Sequence, residues 1–481
     1  MPPSGGQSSS YQKEEVVESF LELELKYDLL DLKPNGIPVW ERIRWRALRE
    51  VLKGVNIINQ PHEYINTSWK SYHKAGKGLL KNIISKNPYM PTKCDIAFFG
   101  HPRRKLLDDG YWWDLYCDPI QNNIDYSTIH FEGPRGLQHK KPPKTDRIKY
   151  LDVLKYTAAL KRKAGITDIK LDDRIKDTVE KAENNIKDKY SIKVHFNELI
   201  ENELNKHFSE KSLYDKLLSI VSPEILVTVP GYGAETLLES ASDSDITTIE
   251  LQHGVITSSH LGYSYKGARD KKVFPDYLFI WGDFWSEGVE FPISDEKVIP
   301  IGYPFLSQQI NKYSNVATKD AILFISQSTI GEELSKFALE VDKNDRVDSN
   351  IIYKLHPGEY NRWRQEYPWL VDSNIEVVDS SDPPLYKLFA LAHTQVGVGS
   401  TALFEGLAFN LNTYIYDLPG REVFNPLIEE GAVTSVKSTD RLAKDYKNNS
   451  IKFQRNRFFC SNPIHNFKKQ IHKILLRDDL T

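Results

Sequence analysis

Three polar motifs in the second half of the sequence carry residue types that can hold a phosphate group. The first, YKLHPGE at 353–359, offers Lys354 and His356 two residues apart, so both lie on one face of a strand. Their N–H groups can donate to phosphate oxygens, and Pro357 fixes the turn that follows. We predict a phosphate contact here. A purely structural strand-to-helix turn is the alternative.

The second motif, VGVGSTALFEGLAF at 396–409, places a glycine-rich strand end before a helix. Ser400 and Thr401 stand at the helix start, where free N–H groups and two hydroxyls make an anion site. Glu405, further along the helix, could accept hydrogen bonds from ribose hydroxyls. An ordinary capped helix with a surface glutamate would give the same pattern.

The third motif, SQST at 326–329, also follows a strand and precedes a helix. Gln327 and Ser328 could meet a phosphate or a base, or simply cap the helix. Together the motifs put anion or hydroxyl donors at three βα turns of one domain. The sequence has no Walker loop and no G-x-G-x-x-G fingerprint with an acidic ribose binder, which argues against ATPases and NAD enzymes.

The first half supplies candidates for a general base. His253, in ELQHG at 250–254, follows a buried strand, and an imidazole with a pKa of about 6.5 can take a proton from a hydroxyl. It could equally donate to a phosphate or carboxylate, or be a buried structural histidine. Glu235, which ends the glycine-rich PGYGAE (230–235), is a reserve candidate.

The elements that must position these residues alternate between buried strands and helices, which predicts parallel α/β sheets. Residues 14–54 are predicted as two helices, and residues 150–220 as a charged helical insertion. The predicted strands form two series, and each motif follows one of them. The first series lies at 94–100, 126–133, 224–231, 246–254, 277–284 and 297–304, and the second at 321–328, 350–359, 375–379, 394–400 and 412–418.

Two such series predict two Rossmann-like, doubly wound domains facing a central cleft, with ligands outside the carboxyl ends of the strands. A chain of 481 residues is long enough for two or three domains. The predicted segments are a disordered tail at 1–13, an N-terminal Rossmann-like domain at 14–310 that includes the insertion, a second Rossmann-like domain at 318–455 and a C-terminal helix at 456–481.

The order of these motifs resembles the nucleotide-binding half of two-Rossmann (GT-B) glycosyltransferases. The shared features are a strand-end Ser/Gln, an H-P pair, and a G-S-T turn followed by a glutamate. The chain is most similar to the bacterial surface-polysaccharide group that uses CMP-activated sugars, the sialyltransferases and Kdo transferases. The resemblance implies that the domain at 14–310 is the acceptor side and that the domain at 318–455 binds the nucleotide donor. It also implies that His356, Pro357, Ser400 and Thr401 bind the donor phosphate.

Two further segments extend the resemblance over most of the chain, roughly residues 25–450. YDLLDLKPNGIPVWERIRW (27–45) and the Q-H-G of His253 are similar to capsule-type transferases. Asp108-Asp109-Gly110 matches an acidic-acidic-glycine motif of bacterial sialyltransferases, in which a carboxylate deprotonates the acceptor hydroxyl, so Asp109 becomes a second base candidate. Acidic pairs before glycine are also common turn chemistry. Neighbours that could hold an anion or stack on a sugar are Arg103, Arg104, Lys105, Trp112 and Trp113.

Composition and charge exclude several classes of protein. Lys plus Arg is 63 against 66 for Asp plus Glu, so no positive excess supports nucleic-acid binding. Three cysteines, none in a C-x-x-C pair, indicate a reducing, cytoplasmic setting. No apolar run marks a signal peptide or a transmembrane helix. The basic segment 68–86 is interpreted either as a solvated helix or as a peripheral contact with the inner face of the membrane.

We therefore predict a cytoplasmic glycosyltransferase of polysaccharide (capsule) biosynthesis. It would move a sugar from a nucleotide donor, with a CMP-sugar favoured, to a hydroxyl of a glycan or lipid-linked glycan acceptor. No metal or other cofactor is expected, because no D-x-D or H-x-H cluster lies near these turns. The alternatives are a CDP-polyol phosphotransferase, an isomerase resembling UDP-sugar 2-epimerases, and an inactive sugar-nucleotide-binding scaffold.

Overall fold

The computed structural model describes residues 11–58, 82, 84–90, 93–101, 103–135, 138–167, 169–266, 273–447 and 454–478. Apart from residues 82 and 84–86, the basic segment 68–86 lies outside the described residues, as do residues 1–10 of the predicted tail. The chain divides into two compact units. Unit 1 holds the described residues up to Ile280, then Trp285–Pro300 and those from Ile464 onward; unit 2 holds Trp281–Phe284 and Ile301–Pro463.

Unit 1 combines a helical N-terminal layer with a parallel sheet. Its elements are α1 (Lys13–Lys26), α2 (Val39–Gly54), β1 (Ile96–Phe99), β2 (Lys105–Leu106), β3 (Trp112–Trp113), α3 (Asp118–Gln121), β4 (Thr128–Glu132), β5 (Ile148–Tyr150), α4 (Asp152–Lys163), α5 (Asp173–Tyr190), α6 (Phe196–Val221), β6 (Ile225–Thr228), α7 (Glu235–Ser242), β7 (Thr247–Leu251), β8 (Tyr277–Ile280) and β9 (Val298–Pro300).

Helices α1 and α2 form because apolar residues recur at helical spacing and can be buried together with the helices of the insertion. The buried Trp40 indole donates to Glu24 at 2.7 Å, and the Arg44 guanidinium pairs with the same carboxylate at 2.8 Å. The ion pair supplies a partner for two charges that burial would otherwise disfavour.

Seven parallel strands form the sheet of unit 1 in the order β5-β4-β1-β6-β7-β8-β9. Strand β1 pairs with β4 on one side and with β6 on the other, so Phe99 lies beside both Phe131 and Thr228. The order of the strands therefore reverses between β1 and β6. All residues of β1 and β6 are buried, as expected for central strands covered on both faces.

Unit 2 is a second parallel sheet with its own core. Its six strands run β12-β11-β10-β13-β14-β15, and the order reverses between β10 and β13. The elements are α8 (Pro304–Lys312), β10 (Ala321–Ile325), α9 (Gly331–Asp342), β11 (Asn350–Lys354), α10 (Trp363–Glu366), β12 (Glu376–Val378), α11 (Leu385–Leu391), β13 (Thr394–Gly397), α12 (Thr401–Leu407), β14 (Asn412–Tyr416), α13 (Asn425–Glu429), β15 (Thr434–Val436), α14 (Thr439–Asp445) and α15 (Arg455–Phe458), followed by α16 (Pro463–Asp478), which from Ile464 onward belongs to unit 1.

The predicted α/β fold with two Rossmann-like sheets, a helical N-terminal segment and a helical insertion is confirmed. The units divide at residues 300 and 301, before the predicted 310, because α8 packs within unit 2: the Phe305 ring lies 5.6 Å from that of Tyr386. In the described part of the chain, no helix has the length and apolar character needed to cross a bilayer.

Candidate functional site

Hydrogen bonds join the turns that follow β10 and β13 at the switch point of unit 2. The Oε1 atom of Gln327, in the first turn, accepts from the N–H of Gly399, in the second, at 2.9 Å. Gly399 admits no side chain, because a Cβ there would lie 2.1 Å from the carbonyl oxygen of Gly420. Ligands of open α/β sheets bind where the strand order reverses. Two of the three predicted motifs thus meet at the expected binding position.

A buried carboxylate of the first motif, Glu359, joins that motif to the third, which Gln327 links to the second. Glu359 is fully buried, and its Oε2 accepts from the His356 backbone N–H at 2.7 Å. Its Oε1 accepts from the hydroxyls of Tyr367 at 2.7 Å and Ser326 at 3.0 Å. Because Ser326 follows β10 and His356 follows β11, Glu359 fixes one turn against the other. Glu359 was not among the predicted site residues, although a glutamate three positions after a turn residue has the spacing of a capping box.

The His356 side chain is exposed at the end of β11 and is held in one tautomer. Its Nδ1 accepts from the Gly358 N–H at 3.1 Å, so in the neutral ring the proton lies on Nε2. Partial burial lowers the pKa of His356, with Glu359 raising it and Arg362 lowering it. The ring therefore offers an Nε2–H donor, which suits a phosphate oxygen.

Hydroxyl groups lie at the same edge of the sheet. Ser328 is exposed, whereas Ser400 and Thr401 are half-buried. The Ser400 oxygen caps α12 by accepting from the Ala402 N–H at 3.3 Å. Glu405 lies half-buried in the second turn of the same helix. The structure thus places Ser400 and Thr401 at the β13 turn and Ser328 at the β10 turn, which Gln327 joins to it.

Lys354 and Pro357 differ in their surroundings from His356. The Lys354 ammonium is buried and donates to the Tyr360 hydroxyl at 2.9 Å and to the carbonyl of Ser380, which follows β12. It therefore braces the β11 turn against the neighbouring strand end. Pro357 is exposed in the turn itself. A phosphate contact by either residue stays a prediction.

An imidazole cluster lies at the switch point of unit 1. His101 follows β1, Tyr232 follows β6 and His253 follows β7. The His253 Nε2 lies 2.9 Å from the Tyr232 hydroxyl, and the rings of His253 and His101 stack at 6.1 Å. The Tyr116 hydroxyl donates to the His253 carbonyl at 2.8 Å. The structure thus places the predicted base at a ligand-binding position of its sheet.

Burial decides the charge of this cluster. It lowers the pKa of His253 to about 3, and His101 and Arg103 act in the same direction. It also lowers the pKa of His260, whose ring stacks on Trp45 at 3.9 Å, to about 3. Both imidazoles are therefore neutral at physiological pH. His253 has a lone pair that can accept a proton.

The other two base candidates have different surroundings. The exposed Asp109 carboxylate accepts from the Trp113 indole at 3.1 Å, from the Lys144 ammonium at 3.2 Å and from a backbone N–H of its own turn. Burial works to raise the pKa of Asp109, but these bonds lower it overall. Glu235 is buried and accepts from the Gly233 N–H at 2.9 Å. Among the described residues, none of these hydrogen-bond partners of Asp109 and Glu235 is His101, Tyr232 or His253.

Arg104, predicted in a loop that could hold an anion, is instead buried. Its guanidinium donates to Glu132, to Asp118 at 3.1 Å and to Thr145 at 3.3 Å. Two of these partners are Asp118, which comes after β3, and Glu132, which ends β4. Their contacts with Arg104 could not be predicted from the spacing of residues in the sequence. Arg104 therefore holds the interior of unit 1 together, and Arg103 beside it remains exposed.

Asp114, Cys117 and His130 bring metal-ligand atom types within 4.8 Å of one another in the interior of unit 1. The Asp114 oxygens already accept the backbone N–H groups of His101 and Cys117 at 2.8 and 3.2 Å. The Arg104 guanidinium lies 3.1 Å from the His130 Nε2. A cation at this point would meet that positive charge. These residues fit a structural network better than a metal site.

The sheets and their switch-point groups define a two-unit Rossmann-like α/β protein. No protein-family model matches the chain, and no curated protein matches it. Among solved structures, UDP-GlcNAc 2-epimerase from Methanocaldococcus jannaschii is 10% identical with a TM-score of 0.45, over 78% of this chain and 99% of that one. The enzyme of that name from Neisseria meningitidis, bound to UDP-GlcNAc, is 11% identical with a TM-score of 0.45, over 79% and 99%. The wall teichoic acid polymerase TagF is 14% identical with a TM-score of 0.41, over 90% and 98%. Similarity at this level identifies no activity, so function must be inferred from this chain's own residues.

Proposed function

We propose that this protein is a glycosyltransferase that moves a sugar from a nucleotide-activated donor to a hydroxyl of a surface-glycan acceptor, free or lipid-linked. The observation that carries the proposal is the joining of three βα turns at the switch point of unit 2. Gln327 links the turns after β10 and β13, and Glu359 links those after β10 and β11. A single small anion could therefore contact donors from all three motifs.

The donor phosphate would bind the Nε2–H of His356 and the hydroxyls of Ser328, Ser400 and Thr401. When the bond between the sugar and the phosphate breaks, its electrons pass to the phosphate oxygen. Preorganised donors stabilise charge that develops in this way. Glu405 would contact the ribose. A CMP-sugar is the donor to test first, since the order of these motifs resembles that of CMP-sugar transferases.

His253 would act as the general base. Its neutral ring can take up a proton while the acceptor oxygen forms the new bond to the sugar carbon, provided that the bound substrates raise the pKa that burial lowers to about 3 in the free protein. Asp109 is the alternative base, and its ionised carboxylate is paired with Lys144. The two assignments predict opposite results for alanine variants.

Nucleotide binding tests the phosphate site. Calorimetric titration of CMP, CDP, UDP, GDP, TDP and ADP against the full chain should show CMP binding. His356→Ala and Ser400→Ala should each weaken it by about tenfold, the cost of one charge-assisted hydrogen bond. His393→Ala is the matched control, because His393 precedes β13 and lies 3.0 Å from Asp320. Unchanged affinity in both site variants would refute the site. Binding of UDP, GDP or TDP alone would replace the CMP-sugar by the corresponding nucleotide sugar as the proposed donor. Binding of CDP alone would favour the transfer of a polyol phosphate.

Transfer assays with the donor so identified test the base. His253→Ala should keep nucleotide affinity and lower kcat by about 10²–10⁴-fold. Asp109→Ala should keep activity within about threefold. The reverse pattern would move the base to Asp109, and full activity in both variants would remove both residues.

A further inference from the structure

The His253 ring has a second polar contact on the side opposite Tyr232. Its Nδ1 lies 3.5 Å from the hydroxyl of Tyr263, which donates to Glu250 at 2.5 Å. Tyr263 and Glu250 are both buried. Glu250 is therefore linked to the His253 ring through Tyr263, and it lies in β7, the strand that precedes His253. Gly231 makes room for this carboxylate, since a Cβ there would lie 2.3 Å from its Oε2.

The direction of these bonds follows from the chemistry of each group. A carboxylate only accepts, so the Tyr263 proton points to Glu250 and its oxygen lone pairs remain available. Burial and the charge of Glu250 raise the pKa of Tyr263 well above its usual value, so the proton stays on the phenol. The only role left to the His253 Nδ1 at this contact is that of an N–H donor. Its Nε2 must then accept from the Tyr232 hydroxyl, 2.9 Å away.

We propose that Tyr263 and Glu250 are positioning residues that hold His253 in the Nδ1–H tautomer and so make Nε2 its basic atom. The tautomer assignment does not depend on the proposed function. Only its consequence, that His253 accepts a proton during transfer, rests on that function. When the acceptor O–H bond breaks, its proton passes to the Tyr232 oxygen as the Tyr232 proton forms the Nε2–H bond, and the hydroxyl electrons form the new bond to the sugar. The imidazolium so formed keeps its Nδ1–H directed at Tyr263, whose own proton stays on the phenol oxygen and points to Glu250.

Nitrogen NMR of the ligand-free full chain tests the tautomer without any substrate. With ¹⁵N-labelled histidine, two-bond ring correlations distinguish Nδ1–H from Nε2–H rings, and loss of one set in His253→Ala assigns it among the 13 histidines. Wild-type protein should show His253 as a single Nδ1–H tautomer. Tyr263→Phe should convert it to a mixture of tautomers, because the phenyl ring offers no acceptor. Tyr265→Phe is the matched control: this buried ring lies two residues on and stacks over Arg44 at 4.4 Å.

An Nε2–H signature for His253 in wild-type protein overturns the proposal. This measurement does not depend on whether Tyr263→Phe folds. Retention of the pure Nδ1–H signature in Tyr263→Phe also overturns it. In the transfer assay, Tyr263→Phe should lower kcat by about 10²-fold, the lower end of what a general base contributes, with KM unchanged. A correct tautomer shift with no transfer activity in wild-type protein would refute the proposed function and leave the tautomer assignment standing.

Discussion

Glu359 is the residue through which stability and phosphate binding should be coupled in unit 2. Replacing it by alanine removes an acceptor from three donors: the His356 N–H and the hydroxyls of Ser326 and Tyr367. Each buried donor left without a partner costs about 1–3 kcal/mol. Because the two hydroxyls can rotate toward other acceptors, we expect Glu359→Ala to lower the free energy of unfolding by roughly 3–5 kcal/mol, the lower part of that cost summed over three donors.

Glu359→Gln separates the charge from the geometry. The amide oxygen can accept from His356 in place of Oε2, and the amide N–H groups can donate to the rotated hydroxyls of Ser326 and Tyr367. Only the charge assistance is lost, which we expect to cost about 1 kcal/mol. At about 2–4 °C per kcal/mol for a unit of this size, the alanine variant should lower Tm by roughly 6–20 °C and the glutamine variant by roughly 2–4 °C.

Differential scanning calorimetry of both variants measures this difference, and the same samples can be titrated with the nucleotide that binds wild-type protein. We expect nucleotide affinity to fall at least tenfold in Glu359→Ala, because the His356 turn loses its anchor, and to fall less than threefold in Glu359→Gln. Equal Tm values for the two variants would show that the three hydrogen bonds do not hold the turn. A large loss of Tm with unchanged nucleotide affinity would separate the turn from the phosphate site.

Two further perturbations test the packing around the sites. Gly399→Ala should abolish nucleotide binding in calorimetric titration, because the added Cβ would overlap the Gly420 carbonyl, whereas Gly133→Ala, where a Cβ meets nothing within 4 Å, should not change it. The pKa of His139 is raised: burial lowers it, but bonds to Asp152 and Glu132 at 2.9 and 2.8 Å outweigh this. Because the folded pKa exceeds the unfolded value of about 6.5, this stabilisation is complete below that pH and is lost as pH rises through the folded pKa. The difference in denaturation midpoint between wild-type protein and His139→Gln should therefore be larger at about pH 5.5 than at about pH 8.5, and an equal difference at both would refute the ion-pair reasoning.

The sequence predicts the long elements well because their apolar patterns extend over many residues. Strands such as Ile96–Phe99 and Ala321–Ile325 are fully buried runs that show their type without any partner. The strands β2, β3, β5 and β15 were not predicted, because two or three residues are too few to show alternation. The equally short β9 and β12 were predicted because further apolar residues stand next to them. The order of the strands within each sheet could not be predicted from local sequence patterns either, because it depends on contacts between segments that are distant in the sequence.

The candidate site was predictable only where a motif ends a strand. His253, His356 and Ser400 were found in this way, because polar residues that interrupt a buried run stand out. Glu250 was not found, because it lies within a strand and only its contact with Tyr263, 13 residues away, gives it a role. Arg104 was misplaced for the converse reason: beside Arg103 and Lys105 it looks solvated, and its buried partners come from other elements.

The roles that we propose for His356 and His253, donor to a phosphate and acceptor of a proton, differ because the two rings have different contacts at Nδ1. In each unit a buried carboxylate lies one step from the ring and does not pair with it: Glu359 accepts from the His356 backbone, and Glu250 accepts from Tyr263. Both rings therefore stay neutral, and the contact at Nδ1 decides what Nε2 can do. A backbone N–H at the His356 Nδ1 leaves Nε2 as a donor, which suits a phosphate, whereas the Tyr263 oxygen at the His253 Nδ1 leaves Nε2 as an acceptor, which suits a proton. Exchanging these Nδ1 contacts would exchange the two roles, so the second contact of each ring, more than the histidine itself, specifies its chemistry.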